Sequence, residues 1–285
     1  MKIALLTCQK LPDLNLEDQK LIPALAQYNI QAVAAVWDNA SINWSQFDCL
    51  VFRNTWDYFE KEHKFILWLD HIKELGIKTL NSIDTIKNNV HKFYLKELEQ
   101  KGIPILKTLF IDKTQHLDLV KLIPNNWNKA VIKPAFSAGS YLTEVFDRTQ
   151  IQTINKQYQS IATSKELLLQ EFIPEIQTLG ETSFIFFDKK FSHAVNKKPV
   201  PGDFRVQSLY GGKYTLVAPS AELIQKAQKV VNTFQEDLLY ARVDGILIDG
   251  ELYLMEIECI EPDLYFNLSA NSLDLFVAAL LKLIA

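Results

Sequence analysis

Hydrophobic and polar positions along this 285-residue chain change their period several times, and the changes divide it. In the N-terminal part, short unbroken apolar runs at 3–8, 31–36 and 49–52 alternate with segments 16–27 and 60–75, whose apolar residues recur at helical spacing. The short runs predict buried strands and the longer period predicts amphipathic helices. Strand, helix, strand order then predicts a parallel sheet with crossover helices. A fourth strand, 78–80, follows Gly76 at a helix C-terminus, and Asn81-Ser82 stands where the next helix needs a cap. A helix over 84–101 ends at Gly102, and strands at 105–111 and 130–133 flank a helix near 115–122. The remainder is strand-rich, at 167–172, 182–187, 191–196, 204–210, 213–217, 241–248 and 252–260, with helices at 221–235 and 273–284. The expected fold class is therefore α/β followed by α+β: a small parallel α/β domain over 1–82, a second lobe over 83–166 and an α+β lobe over 167–285.

Composition narrows the function classes. With 48% hydrophobic and 22% charged residues, the chain has an ordinary globular composition. A net charge of −4 without a basic block gives no footprint for nucleic acid or an anionic membrane. The apolar run 3–8 is too short for a signal-peptide core, and no stretch approaches the ~20 apolar residues of a membrane span. Cys8, Cys49 and Cys259, odd in number and far apart, exclude a full disulfide framework, so the cytoplasm is the expected compartment. P-loop, dinucleotide-binding, G-x-S-x-G and H-E-x-x-H motifs are absent, and the five histidines, at no zinc-ligand spacing, are expected at the surface.

The chemistry concentrates in 241–261, where charge interrupts two apolar strands joined by Asp249-Gly250, a hairpin signal. Side chains alternate along a strand, so Arg242 and Asp244 share one face of the first and Glu256 and Glu258 one face of the second. Two carboxylates ~5 Å apart repel by about 3 kcal/mol at an effective dielectric of 20. A half-buried acidic group therefore needs cations; Arg242 supplies one and a magnesium ion suits the rest. A solvated strand face is the alternative, against which stand the apolar Ile246, Ile248, Leu252 and Leu254. Register supplies a test. A plain two-residue turn sets Asp244 opposite Met255, so a shared metal site requires a three-residue loop or a β-bulge.

Arg242-Val243-Asp244 with Glu256-Ile257-Glu258 resembles the metal-binding strands of the ATP-grasp superfamily, as found in glutathione synthetase and D-alanine–D-alanine ligase. The tail 254–266 and the segment Arg53-Asn54-Thr55-Trp56-Asp57-Tyr58 are similar to the branch that contains the cyclo-ligase of cycloserine biosynthesis. The resemblance spans nearly the whole chain. It implies a small parallel pre-ATP-grasp domain over 1–82, followed by a two-lobed ATP-grasp fold with a central lobe over 83–166 and a C-terminal lobe over 167–285. It also implies ATP and one or two magnesium ions as cofactors, with Asp244, Glu256 and Glu258 as metal ligands. Lys92 and Lys133 match the phosphate-binding lysines, and Ser137, Gly139 and Ser140 the mobile loop over the phosphates. Gln170, Glu171, Phe172 and Ile173 match the hinge strand beside adenine, and Glu181 the ribose-binding acid. Lys198, Arg205 and Arg242 match cations directed at the transferred phosphate and the acyl intermediate. Plainer readings stand beside these: a surface lysine at 92, an apolar strand ending at Pro174, and a salt bridge from Arg205 to Asp203.

The reaction implied is an acyl-phosphate ligation releasing ADP and phosphate. A small-molecule carboxylate and an amine-type nucleophile are the expected partners of a monomer or homodimer. In open parallel sheets ligands gather at the carboxyl ends of the strands. There Arg53 suits a carboxylate and Asp38 or Asp57 an ammonium group, with Asn54 and Trp56 of the same segment as further candidate substrate residues, although Trp37, Trp56 and Tyr58 serve equally as core aromatics. A kinase on the same scaffold and a non-catalytic ATP-binding module remain as alternatives.

Overall fold

A computed structural model of the chain describes every residue except 204 and 207–209, so the expected strand 204–210 falls largely outside the described residues. The N-terminal apolar runs form β1 (Lys2–Thr7), β2 (Gln31–Val36) and β3 (Cys49–Asn54), and β4 (Lys78–Leu80) completes a parallel sheet of order β2-β1-β3-β4. Ile3 and Leu5 pack with Leu21 and Leu25 of α1 (Leu21–Ala26), whereas Ala4 and Leu6 pack with Phe65 and Leu69 of α2 (Glu62–Glu74). Burial on both faces explains why these strands read as unbroken apolar runs.

The single helix expected over 84–101 is two, α3 (Ile83–Asn89) and α4 (Tyr94–Gln100). Ser82 caps α3, its hydroxyl accepting from the Thr85 amide at 3.1 Å. Between the helices His91 bridges to Phe136, and the Lys92 amide donates to the Ala135 carbonyl at 2.9 Å. A long-range strand contact therefore breaks a locally helical pattern. Gly76 and Gly102 close α2 and α4 at φ of 67° and 80°, the left-handed conformation a helix C-terminus favours.

A second, antiparallel sheet contains β5 (Thr108–Ile111), β6 (Lys129–Pro134), β7 (Glu144–Asp147) and β8 (Leu167–Glu171) in the order β5-β8-β6-β7. The strand expected to open the C-terminal lobe, β8, is hydrogen-bonded on both sides within this central sheet. A short α5 (Leu119–Leu122) follows β5, and α6 (Ile151–Ala162) covers the sheet with Ile151, Ile154 and Tyr158. α6 is unassigned from sequence, because its apolar residues are sparse between polar ones. Ala130 and Ile132 of β6 pack in the same cluster as α6; Val131 and Lys133, on the opposite face, line the cavity described below.

The third sheet is antiparallel: β9 (Glu181–Phe187), β10 (Lys190–Lys198), β11 (Lys213–Val217), β12 (Tyr240–Ile248) and β13 (Glu251–Glu258), in the order β11-β10-β9-β12-β13. α7 (Ala221–Val231) packs Ala227 and Val230 against Phe184, Phe186 and Val243. The last helix, α8 (Ser272–Ile284), places Phe276 and Leu280 among Ile3 and Leu5 of β1 and Phe187 and Tyr240 of the third sheet, and so ties the two ends of the chain together. Of the histidines expected at the surface, His193 is buried instead; burial lowers its pKa to about 4, and its Nε2 lies 3.1 Å from the Leu264 carbonyl. Among the described residues, no helix is long and apolar enough to cross a membrane.

Candidate active site

Whether the carboxylates of β12 and β13 meet depends on register. The hairpin closes with a two-residue turn, Ile248 opposite Glu251, and Asp249 and Gly250 both have positive φ, 50° and 78°. Gly245 pairs with Leu254, but Asp244 pairs with Glu256, leaving Met255 as the extra residue of a β-bulge. The bulge required by the sequence argument is present. Glu258 lies opposite Arg242, so Asp244, Glu256 and Glu258 gather, with a carboxylate oxygen of each within 4.8 Å of the others. Glycine is needed at 245, where a Cβ would stand 2.7 Å from the Tyr253 carbonyl oxygen and 2.6 Å from Leu252 Cδ1.

Charge here is balanced in layers. Asp244 is fully buried and lies beneath the others, gripped by Arg242 through Nη2 at 2.8 Å and Nε at 3.0 Å. Ser183 donates its hydroxyl to Asp244, and Lys197 Nζ stands 3.6 Å away. Arg242 also pairs with Glu258. Burial holds the Glu258 carboxyl well above its usual range, with Arg242 opposing and Glu256 and Asp244 reinforcing. Glu256 goes the other way. Burial would raise its pKa, but Lys92, Lys133, Arg242 and Lys197 hold it down to about 2, with Lys92 Nζ 3.6 Å away. Three carboxylates without a nitrogen or sulfur donor form a hard oxygen set, which fits magnesium rather than zinc.

Over these groups opens a cavity of ≈ 530 Å³, walled by the central and third sheets. Lys92, Lys133, Ser137, Gly139, Ser140, Gln170, Glu171, Phe172, Ile173, Glu181, Arg205, Arg242, Glu256 and Glu258 all line it. Lys92 lies in the break between α3 and α4 rather than on a helix, and its Nζ reaches the Ser137 carbonyl at 2.5 Å, tethering the loop after β6. Lys133 has no hydrogen bond or ion pair among the described residues; burial lowers its pKa although Glu256 acts to raise it. A half-buried, unpaired ammonium facing a cavity invites an anion. Beyond it, Phe172, Ile173, Ile246 and Met255 with Leu106 and Val206 form an apolar slot. The Glu171 and Phe172 amides already donate to the Lys107 and Lys129 carbonyls at 3.0 and 3.1 Å, so those two donors are committed to the sheet.

Several expected residues sit elsewhere. Lys198 is exposed at the end of β10; strand alternation turns its neighbour Lys197 into the cavity instead, where it pairs with Glu181. Arg205 lines the cavity while gripping Asp203 at 2.8 Å and stacking on Tyr210 at 3.8 Å, so the plainer salt-bridge reading also holds. Of the expected substrate residues only Trp56 reaches the cavity. Arg53, 1% exposed, binds Asp18 at 2.7 Å and the Pro262 carbonyl at 3.0 Å; Asn54 donates to Asp18 at 2.8 Å; Asp57 accepts from Trp37 Nε1 at 2.7 Å and Lys61 at 2.6 Å. These groups satisfy one another and join the first domain to the tail of the third. Missed from sequence were Lys197, one residue from the expected lysine, and Glu261, part of the acidic tail but outside the metal set.

Known proteins share both sequence and overall fold with this chain. Residues 3–81 match the family described as D-cycloserine synthetase DcsG, N-terminal domain. The chain is 24% identical over 277 residues, 91% of each chain, to the cycloserine biosynthesis protein DcsG of Streptomyces lavendulae. The crystal structure of D-cycloserine synthetase DcsG superposes over 100% of both chains with a TM-score of 0.89 at 20% identity. D-alanine–D-alanine ligase from Bacillus anthracis, solved complexed with ATP, matches over 99% of this chain and 98% of its own with a TM-score of 0.68 at 17% identity. Whole-chain superposition gives this chain the fold shared by D-cycloserine synthetase DcsG and D-alanine–D-alanine ligase.

Proposed function

We propose that the chain is an ATP- and magnesium-dependent ligase that converts a small-molecule carboxylate into an acyl phosphate, with ADP as co-product, and then lets an amine or related nucleophile displace phosphate. The observation that carries this reading is the Met255 bulge, which brings Asp244, Glu256 and Glu258 together beside a lysine-lined cavity. A magnesium ion held by Glu256 and Glu258, with Asp244 beneath, would supply positive charge for the phosphate oxygens. The chain's own part is positioning and charge neutralisation, since this chemistry needs no protein nucleophile. Lys133 and Lys92 face the anionic phosphates, and the apolar slot at Phe172, Ile173 and Met255 takes the base. Lys197, rather than Lys198, extends the cationic wall, and Arg242 and Arg205 stand where an oxyanion develops. Likeness along the whole chain to a D-cycloserine synthetase supports a small, amino-acid-like acyl donor.

The test is a screen of carboxylates and amines with magnesium and ATP, following ADP, free phosphate and product mass together. A ligase releases ADP and phosphate in equal amounts. ADP without free phosphate, with a stable phosphorylated product, would make the chain a kinase. Nucleotide binding without turnover by any acceptor would make it a binding module.

A further inference from the structure

Glu261 lies past the end of β13, three residues beyond Glu258, and is 7% exposed. It lines the cavity, and among the described residues only its own backbone amide donates to its carboxylate. It stands outside the three-carboxylate group of the metal set. Burial pushes its pKa up to about 7 although Lys92, Arg242 and Arg53 act to lower it, so these cations do not compensate its charge. The local fold does not require an acid here. Trp56 Nε1 donates to the Glu261 backbone carbonyl at 3.0 Å, a bond that any side chain at this position would allow. Asp263, half-buried on the same wall, accepts from the Tyr265 amide at 3.0 Å, and burial raises its pKa too. A carboxylate withdrawn from water and left unpaired is costly, and a cavity-facing one is satisfied by a cation that arrives with the ligand. The cavity lining thus carries Glu261 and Asp263 besides Lys92 and Lys133, with Trp56 beside Glu261.

We propose that Glu261, supported by Asp263, is the subsite for a cationic amino group of the substrate, so that the acyl donor is an amino acid or a derivative that keeps its amine. This rests on the ligase reading above and replaces the expectation that Asp57 holds the ammonium group. The full chain is supplied with magnesium and ATP and with each common L- and D-amino acid, in parallel with the matching carboxylic acid that lacks the amino group, and ADP release is read. At least one amino acid is expected to stimulate release while its amine-free counterpart does not. In Glu261→Gln the KM for that amino acid rises about tenfold or more, the loss of a charge-assisted hydrogen bond, while the KM for ATP is unchanged. Glu261→Asp recovers part of the loss, and melting curves verify that both variants are folded. Equal stimulation by amine-free acids, no stimulation by any amino acid, or an unchanged KM in Glu261→Gln overturns the subsite. Calorimetric titration with magnesium-ATP, beside the amine-free acids, separates the two failures: a chain that binds nucleotide and turns over with amine-free acids, or keeps its KM in Glu261→Gln, loses only the Glu261 subsite, and one that binds nucleotide without turnover by any acid, or does not bind it, loses the ligase reading and the subsite with it.

Discussion

At the carboxyl end of β3, Arg53 and Asn54 converge on Asp18, while along β12 and β13 Arg242 stands among Asp244, Glu256 and Glu258. In both places charge interrupts an apolar strand next to the same cavity. The first group closes on itself. Arg53 meets one carboxylate and a carbonyl, Asn54 fills the remaining oxygen, and the cluster turns away from the cavity. The second group closes only in part: Arg242 and Lys197 meet Asp244, Arg242 meets Glu258 and Lys92 stands 3.6 Å from Glu256, while the Lys133 ammonium has no partner among the described residues. The difference teaches that charge in a strand is no guide to function until its partners are counted. A buried ion pair with matched partners holds a structure together, and one with surplus charge waits for a ligand.

Substitutions test that contrast. The largest expected effect is Arg53→Ala, which leaves the buried Asp18 charge without its cation and should cost about 3–5 kcal/mol in urea unfolding, whereas a joint Arg53→Met, Asp18→Leu change should recover most of it. Turnover per folded molecule should hardly change; a selective loss of activity at full stability would place Arg53 back in the substrate site. Next come Glu256→Gln and Lys133→Ala. Each is expected to lower ADP release by about 10²–10³-fold without lowering the melting temperature, and near-wild-type turnover in either would refute the phosphate-side assignment.

Glu261→Gln has an effect on stability whose size depends on pH. The folded pKa of Glu261 is raised from 4.5 to about 7, so the stability this group contributes is complete below its unfolded pKa and is lost as pH rises through 7. The variant should therefore match the wild type near about pH 4 and exceed it by about 3 kcal/mol at about pH 8 in denaturation curves. A pH-independent difference would mean that Glu261 is paired in solution. Smallest is Lys198→Ala, which should change stability by less than about 0.5 kcal/mol and leave turnover nearly intact, while Lys197→Ala disrupts the Glu181 and Asp244 pairs and costs several times more.

Much of the architecture was legible because it is written in local pattern. The strands of the first sheet carry apolar residues on both faces, the Asn81-Ser82 cap and the Gly76 and Gly102 stops mark helix ends, and the Asp249-Gly250 turn announces its hairpin. The bulge was legible in a different way, since the charges of Asp244 and Glu256 make sense together only if one residue is skipped. Elsewhere the pattern misled. The helix 84–101 breaks at Lys92 because Ala135 and Phe136, distant in sequence, compete for its backbone. α6 was legible in principle, since Ile151, Ile154 and Tyr158 recur at helical spacing, but its narrow apolar stripe stands among polar residues. Lys197 and Lys198 differ only in which face of β10 they take, and a one-residue shift along a strand reverses the face.

The sequence by itself determined which residues can bear charge, where chains of apolar positions must be buried, and that the acidic hairpin needs a cation. Only the tertiary structure decided which of those charges are already answered. Arg53 is matched by Asp18 from a loop 35 residues earlier, whereas Glu261, close in sequence to the metal carboxylates, finds no partner beyond its own amide among the described residues. The physical reason is that compensation of a buried charge depends on distance and desolvation in three dimensions, and both are set by which sheets pack together rather than by the order of residues along the chain.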